Sequence, residues 1–357
     1  MGFFVILLLF PMMMQHIAVK GYHIDYQIRN TNALTFFFVL LTVLVMLRHE
    51  TVGNDTRNYL SYFEQFSWMD WNMLERSDLE IGYVVFNKVV SLVSRNPQFF
   101  LAVAALTVSA LIYPTYRRLC VDTSLTIVLF CFLSTFVMMF SGIRQMLAVG
   151  LGFVAYELTR RKKLVFFILT VLLTMSFHTS AFMLIVMYPL YHARITKKWF
   201  YVGIPVLLLL FVGNEQVFSA LALILEQYTE YDTEISATGA YTVLILFCAF
   251  VAFAYLVPDE RQMDEETIGL RNFLLMSLVI QMFAPLHSLA MRMNYYYIIF
   301  IPLLLPKIVE ARSKRWNQVA IAGRHIMVVF FVLYFFYNAN SGGNLNVFPY
   351  HFFWEKV

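Results

Sequence analysis

The chain has 357 residues and a net charge of +4, with 60% apolar and only 13% charged residues, against roughly 45–50% and about 25% in soluble domains. So few charges cannot cover a soluble globule of this size. The 36 Phe and 21 Tyr exclude disorder, 14 Gly exclude collagen, and the small net charge argues against a nucleic-acid partner. Cys120, Cys131 and Cys248 have no CxxC spacing, so no zinc, iron–sulfur or disulfide framework is expected, and neither is a cofactor.

In chain order, the first apolar run, 2–19, has no Lys or Arg before Lys20. It therefore reads as a first span with its N-terminus outside, since a cleaved signal needs a positive start. Further runs lie near 31–47, 98–116, 123–140, 145–159, 164–177, 180–193, 199–213, 240–257, 270–290, 294–309 and 323–337. At roughly 20 residues per crossing this is an all-α, polytopic membrane protein of about twelve helices. Residues 80–94 are semi-apolar but contain Glu80, Asn87 and Lys88 and stop at Asn96-Pro97. They read as an amphipathic, interfacial or re-entrant helix.

Placing Arg160-Arg161-Lys162-Lys163 in the cytoplasm puts most of the basic residues on one side. Only Arg48, Arg57, Arg76, Lys88, Arg95, Arg144, Arg292 and Lys356 fall on the other. The chain is then one membrane domain, 1–357, with outer loops 48–97 and 214–239 and an outer tail 338–357. No GxxxxGK[ST] motif is present, so ATP-driven transport by this chain is excluded.

The outer turns collect polar groups that an apolar bundle does not need. They read Gly53-Asn54-Asp55-Thr56-Arg57-Asn58-Tyr59, Glu80-Ile81-Gly82-Tyr83, Ser141-Gly142-Ile143-Arg144-Gln145, Ser176-Phe177-His178-Thr179-Ser180 and Arg292-Met293-Asn294 followed by Tyr295–Tyr297. Each has a bland reading. The arginines can snorkel, Asp55 can cap a helix, His178 can cap a helix by hydrogen bonding, and the tyrosines can form an interfacial belt. Two arginines in tight outer turns run against the positive-inside trend, however, and a guanidinium binds phosphate oxygens bidentately. A carboxylate or imidazole beside them points to acid–base chemistry.

The pieces GNDTRNYLSYF (53–63), EIGY (80–83), SGIRQMLA (141–148), SFHTSA (176–181), RMNYYY (292–297) and PYHFFW (349–354) span nearly the whole chain. In that order the chain resembles the EpsG-like family of bacterial polysaccharide polymerases, relatives in function of the Wzy O-antigen polymerases. The resemblance implies a GT-C-like bundle in the bacterial cytoplasmic membrane with its active site on the extracytoplasmic side. It implies transfer of a glycan from undecaprenyl diphosphate to the terminal sugar of an incoming lipid-linked repeat unit, with undecaprenyl diphosphate released and no metal required. Donor and acceptor lipid-linked oligosaccharides, membrane lipid and a chain-length regulator are the implied partners.

For that chemistry Arg144, and after it Arg292, are candidates to bind the diphosphate. Asp55, Glu80 or His178 is the candidate base, a carboxylate being preferred, with His178 then touching diphosphate or acceptor. Arg57, Tyr59, Tyr83, Gln145, Tyr296 and Tyr350 are candidate substrate contacts, and the aromatic tail around Tyr350 is expected to fold back over the site. The rival reading is a lipid-linked oligosaccharide flippase or other secondary transporter. Such proteins keep charged sites near the midplane and show repeated halves, whereas these residues sit at one edge and no repeat is present. A sugar acyltransferase and a purely structural subunit are weaker rivals.

Overall fold

The computed structural model describes residues 2–16, 26–217, 237–286, 288–341 and 346–357. Lys20 and most of the loop 214–239 lie outside the described residues. The described residues are helical, apart from turns and two isolated bridges, Arg48↔Phe352 and Pro258↔Arg312. They form two compact units, Met1–Phe182 with Ala322–Val357, and Met183–Ile321.

In the first unit the helices are α1 (Gly2–His16), α2 (Tyr26–Leu47), α3 (Thr56–Trp68), α4 (Ile81–Val93), α5 (Pro97–Leu119), α6 (Thr123–Phe132), α7 (Thr135–Ser141), α8 (Ile143–Arg160) and α9 (Leu164–Met175). The α2 helix packs between α1 and α5, α5 packs on α8, and α8 on α9. Local chemistry sets several ends. Asn96 caps α5 by accepting from the Gln98 N–H at 2.8 Å, Pro97 follows at the first helical position, and Arg117 and Arg118 lie in the last turn. Asp122 caps α6 and also accepts from Arg324 Nε at 2.5 Å.

The expected span 123–140 is broken. Ser134 adopts a left-handed φ of 59°, and α6 and α7 meet there at a bend of 58°. A single residue, Gly142, then joins α7 to α8. Its φ of −102° does not require glycine, so the tight connection comes from the helix ends rather than from a special backbone conformation.

The semi-apolar segment after Glu80 forms α4, and its faces are inverted relative to a soluble helix. Tyr83, Asn87, Lys88 and Ser91 point inward, whereas Ile81, Val85, Val89, Leu92 and Val93 are exposed. Lys88 Nζ donates to the carbonyls of Ser67 and Met69 at 3.2 and 2.7 Å, at the C-terminal end of α3 where carbonyls lack helical partners. Phe66, Leu74 and Val84 form the apolar centre of this α3–α4 hairpin. An element that keeps its polar groups inside and its aliphatic stripe outside suits a lipid interface.

The second unit contains α10 (Met187–His192), α11 (Phe200–Val212), α12 (Ala237–Leu256), α13 (Glu265–Gln281), α14 (Ser288–Ile298) and α15 (Ile301–Glu310), and α16 (Asn317–Ser341) begins in it. The α13 helix is the hub, packing on α10, α12, α14 and α15. Three expected spans differ here. Residues 180–193 form a 3-10 stretch, Thr179–Val186, followed by the short α10, with Pro189 in its first turn. The run 270–290 stops being helical at Gln281, four residues before Pro285. The run 294–309 divides at Ile298, with Pro302 in the first turn of α15 and a bend of 41°.

Among the described residues, length and composition qualify four helices as spans: Tyr26–Leu47, Pro97–Leu119, Gly239–Leu256 and Lys314–Ser341. Counting each bent pair as one span gives six, and Gly2–His16, Ile81–Val93 and Leu164–Met175 are shorter apolar helices. The chain is an integral membrane protein, and its described residues hold four to six such spans against the twelve expected.

Candidate functional site

The loop after α2 is shaped by Gly53, whose φ is +90° and whose missing Cβ would lie 2.4 Å from the Phe140 carbonyl oxygen. Only glycine fits there. Thr56 Oγ1 donates to the Val52 carbonyl at 2.6 Å and lies 3.2 Å from the Phe140 carbonyl. The end of α7 supplies that oxygen because its last turn has no helical partners. GNDTR is thus docked against the SGIRQ turn.

EIGY is held to SFHTS in a similar way. Gly82 N–H donates to the Ser176 carbonyl at 2.7 Å, and a Cβ on Gly82 would lie 2.7 Å from that same oxygen. This close approach brings Glu80 to the end of α9. There its carboxylate gathers donors from two further segments. Oε2 accepts from Arg144 Nη1 at 2.5 Å. Oε1 accepts from His178 Nδ1 at 3.0 Å, from Thr179 N–H at 3.1 Å and from Thr179 Oγ1 at 3.3 Å. Burial pushes the Glu80 carboxyl up, but the His178 hydrogen bond and the Arg144 charge outweigh it and hold the group at about 2. Glu80 is therefore an anion at any physiological pH and can only accept hydrogen bonds. It follows that His178 Nδ1 carries a proton and that Nε2 is the basic nitrogen.

Arg144 is braced on its other sides by tyrosines. It donates to the Tyr59 hydroxyl, and its guanidinium lies 5.8 Å from the centre of the Tyr83 ring. The Tyr59 and Tyr83 rings meet edge to face at 5.9 Å. Arg144 Nε is buried and makes no hydrogen bond. Gln145 follows on α8 and is buried. Asp55, at the N-terminus of α3, is exposed, makes no cap hydrogen bond with its side chain, and raises the Tyr59 hydroxyl electrostatically, after burial and against the Arg144 charge. Arg57 pairs with Glu50 at 3.3 Å, with both side chains more than half exposed.

The tail folds back, as its aromatic content predicts, but onto the end of α2. His49 N–H donates to the His351 carbonyl at 2.8 Å, Phe353 N–H to the Leu47 carbonyl at 2.9 Å, and Gly53 N–H to the Asn346 carbonyl at 3.0 Å. Tyr350 Oη donates to the Leu44 carbonyl at 2.8 Å, and its ring packs edge to face on Phe4, Phe140 and Phe352. Tyr350 thus braces the Gly53 loop.

Arg292 and Tyr296 belong to the second unit, on α14. Arg292 is half-buried and interacts electrostatically with Tyr295, and Tyr296 is fully buried. Two residues of the first unit escape sequence reasoning. Thr179 supplies two of the four donors to Glu80, and its only signal is its place beside His178. Arg48 is 1% exposed at the end of α2; its signal is an arginine ending an apolar run on the outer side.

Among the described residues, no three of His, Cys, Asp and Glu stand close enough together to hold a metal ion. The first-unit cluster offers an anion-binding guanidinium beside a carboxylate–imidazole pair, a combination suited to stabilising a departing anion while taking up a proton. No curated protein and no solved structure matches the chain. The model of the EpsG family matches residues 31–352, nearly the whole chain and every segment that contributes to the cluster. The chain therefore belongs to the EpsG family, a family of polysaccharide polymerases.

Proposed function

We propose that the protein extends a lipid-linked glycan on the extracytoplasmic face of the bacterial cytoplasmic membrane. The donor is a glycan on undecaprenyl diphosphate, and the acceptor is the terminal sugar of an incoming lipid-linked repeat unit. The acceptor oxygen forms a bond to the donor's anomeric carbon, the bond from that carbon to the diphosphate oxygen breaks with its electron pair, and the acceptor proton passes to a base. Undecaprenyl diphosphate leaves. Direct displacement of this kind needs one base and no covalent carboxylate.

The observation that carries this reading is the convergence of Arg144 and His178 on Glu80 from segments 64 and 98 residues away in sequence. A held guanidinium with one buried, unused N–H fits a diphosphate oxygen. Glu80, held at about 2, is too weak a base for the acceptor hydroxyl, since an effective base titrates near the working pH. Its role in this scheme is to orient Arg144 and to set the His178 tautomer. The base is then His178 through Nε2, with exposed Asp55 as the other candidate. Tyr59 and Tyr83 hold Arg144 in place, Gln145 and Arg57 line the same turns, Arg292 is the second candidate for the diphosphate, and Tyr296 and Tyr350 are assigned to substrate binding. A chain-length regulator would act from outside this chain.

The test is to incubate the purified protein with a synthetic diphosphate-linked repeat unit and no nucleotide sugar. A ladder of products is expected on a gel. Consumption of the substrate to a hydrolysed repeat unit, or movement of lipid across vesicles without elongation, would overturn the assignment.

A further inference from the structure

Arg48 stands out among the buried charges of the first unit. It is 1% exposed, yet among the described residues no carboxylate pairs with it. Nη1 donates to the Val45 carbonyl at 2.5 Å, Nε donates to Thr56 Oγ1 at 3.4 Å, and Nη2 is buried without any hydrogen bond. The contact with the end of α2 explains one N–H as a helix cap. It does not explain why a full charge is kept in a sealed position with a donor unused, because buried charges are costly unless paired.

The neighbourhood links Arg48 to the cluster around Glu80. Thr56, which takes its Nε, opens α3, and Tyr59 lies one turn further on. The Tyr59 hydroxyl interacts electrostatically with Arg48 and is hydrogen-bonded by Arg144. Arg144 is already compensated by Glu80 at 2.5 Å, so the pair as a whole offers little net attraction to a polyanion. Arg48 has no such carboxylate among the described residues. In a buried setting its field is weakly screened by water or salt.

We propose that Arg48 is a positioning residue whose buried, unpaired charge supplies the net attraction for the diphosphate held at Arg144, acting through the field and not by contact. The proposal rests on the polymerase reading above. Tyr350 of the tail and Tyr59 on α3 are the titratable groups that face it. Both are neutral at physiological pH, and burial keeps them so. Burial also lowers Arg48 itself to about 10, despite the opposing effect of the two tyrosines, which leaves it charged at pH 7.

A field effect scales with ligand charge, and structural damage does not. Binding of inorganic phosphate and of pyrophosphate to the detergent-solubilised full chain separates the two. Arg48→Gln is expected to weaken pyrophosphate more than phosphate, by on the order of tenfold, the size of one charge–charge interaction over about 10 Å at an effective dielectric near 20. Equal losses for the two anions, or no loss, would overturn the proposal. Arg48→Lys covers the case in which the Gln variant does not fold. Burial lowers a lysine further towards neutrality, so the Lys variant is expected to bind pyrophosphate like the parent at pH 7 and to lose that affinity towards pH 9, where the parent, lowered only to about 10, keeps it. A Lys variant that follows the parent throughout would refute the idea. Arg144→Gln is the control for the underlying reading. If it abolishes binding while Arg48→Gln changes nothing, only Arg48 is misassigned; if the parent binds neither anion, both readings fall.

Discussion

Replacing Glu80 with Gln tests the whole cluster at once. The carboxylate receives four hydrogen bonds on two oxygens, one from Arg144 on Oε2 and three from His178 and Thr179 on Oε1. An amide has one acceptor and one donor end. If its oxygen takes the Oε1 position, its NH2 faces the Arg144 Nη1 donor; the reverse orientation turns the NH2 against three donors. Either way one set is lost, and the better compromise gives up Arg144. A charge-assisted bond contributes about 1.5–3 kcal/mol. With both side chains mostly shielded, at 19% and 16% exposure, the variant is expected to lose about 2 kcal/mol of local stability and to let Arg144 wander. Loss of one preorganised charge-stabilising donor lowers turnover by roughly 10²–10³. The assay is the elongation rate on the synthetic repeat unit across pH, with the fold checked by thermal unfolding. A variant with the parent's rate would refute the reasoning.

The sign of the stability effect is fixed by the depressed Glu80 group: its contribution is complete above about pH 4.5, the ordinary carboxyl value, and is lost as pH falls towards about 2. The unfolding difference between the parent and Glu80→Gln should therefore be constant from pH 5 to 8 and shrink in stronger acid. Arg144→Lys keeps a charge but loses the planar fork, so elongation is expected to drop by on the order of 10²-fold at unchanged expression, and near-parental ladders would remove Arg144 from the site. Asp55→Asn, at an exposed position, should leave unfolding unchanged; a loss of roughly 10²-fold or more in rate would make Asp55 the base in place of His178. Gly82→Ala and Gly53→Ala should each cost about 1–3 kcal/mol by forcing a Cβ against a backbone carbonyl, read as lower melting and poor membrane yield. Cysteines at Asn54 and Thr179 should react with an impermeant maleimide in intact spheroplasts, and one at Lys162 should not; the opposite pattern would reverse the proposed sidedness.

Much of the cluster was legible because charge in an apolar chain is conspicuous. GNDTR, EIGY, SGIRQ and SFHTS each contain a group that an apolar bundle has no use for, and the structure brings all four segments together within the first unit. Their roles were less legible. Asp55 and Glu80 are equivalent candidates as letters, both carboxylates ahead of a helix. What separates them is that Gly82 allows the backbone to approach Ser176 closely enough to bury Glu80 among donors, whereas Asp55 stays in the open. Hydropathy located the apolar runs but not their breaks, since the bend at Ser134 depends on one left-handed residue, and serine carries no strong preference for that conformation.

The tail shows what sequence pattern cannot supply. PYHFFW promises a segment that leaves water, but nothing in it names its partner. That partner is the end of α2, about 300 residues earlier, met through main-chain bonds that any residues could make: Phe353 N–H to Leu47, His49 N–H to His351 and Gly53 N–H to Asn346. The consequence reaches the site. The same contacts close over Arg48 and fix the Gly53 loop that carries Thr56 and, one turn on, Tyr59. An arginine at the end of an apolar run reads as a boundary residue until a distant segment buries it. Once buried without a carboxylate, its charge has to be answered by something, and the nearest anionic demand in the proposed chemistry is the departing diphosphate. The position of the tail, and not the identity of residue 48, turns a boundary arginine into part of the electrostatics of the site.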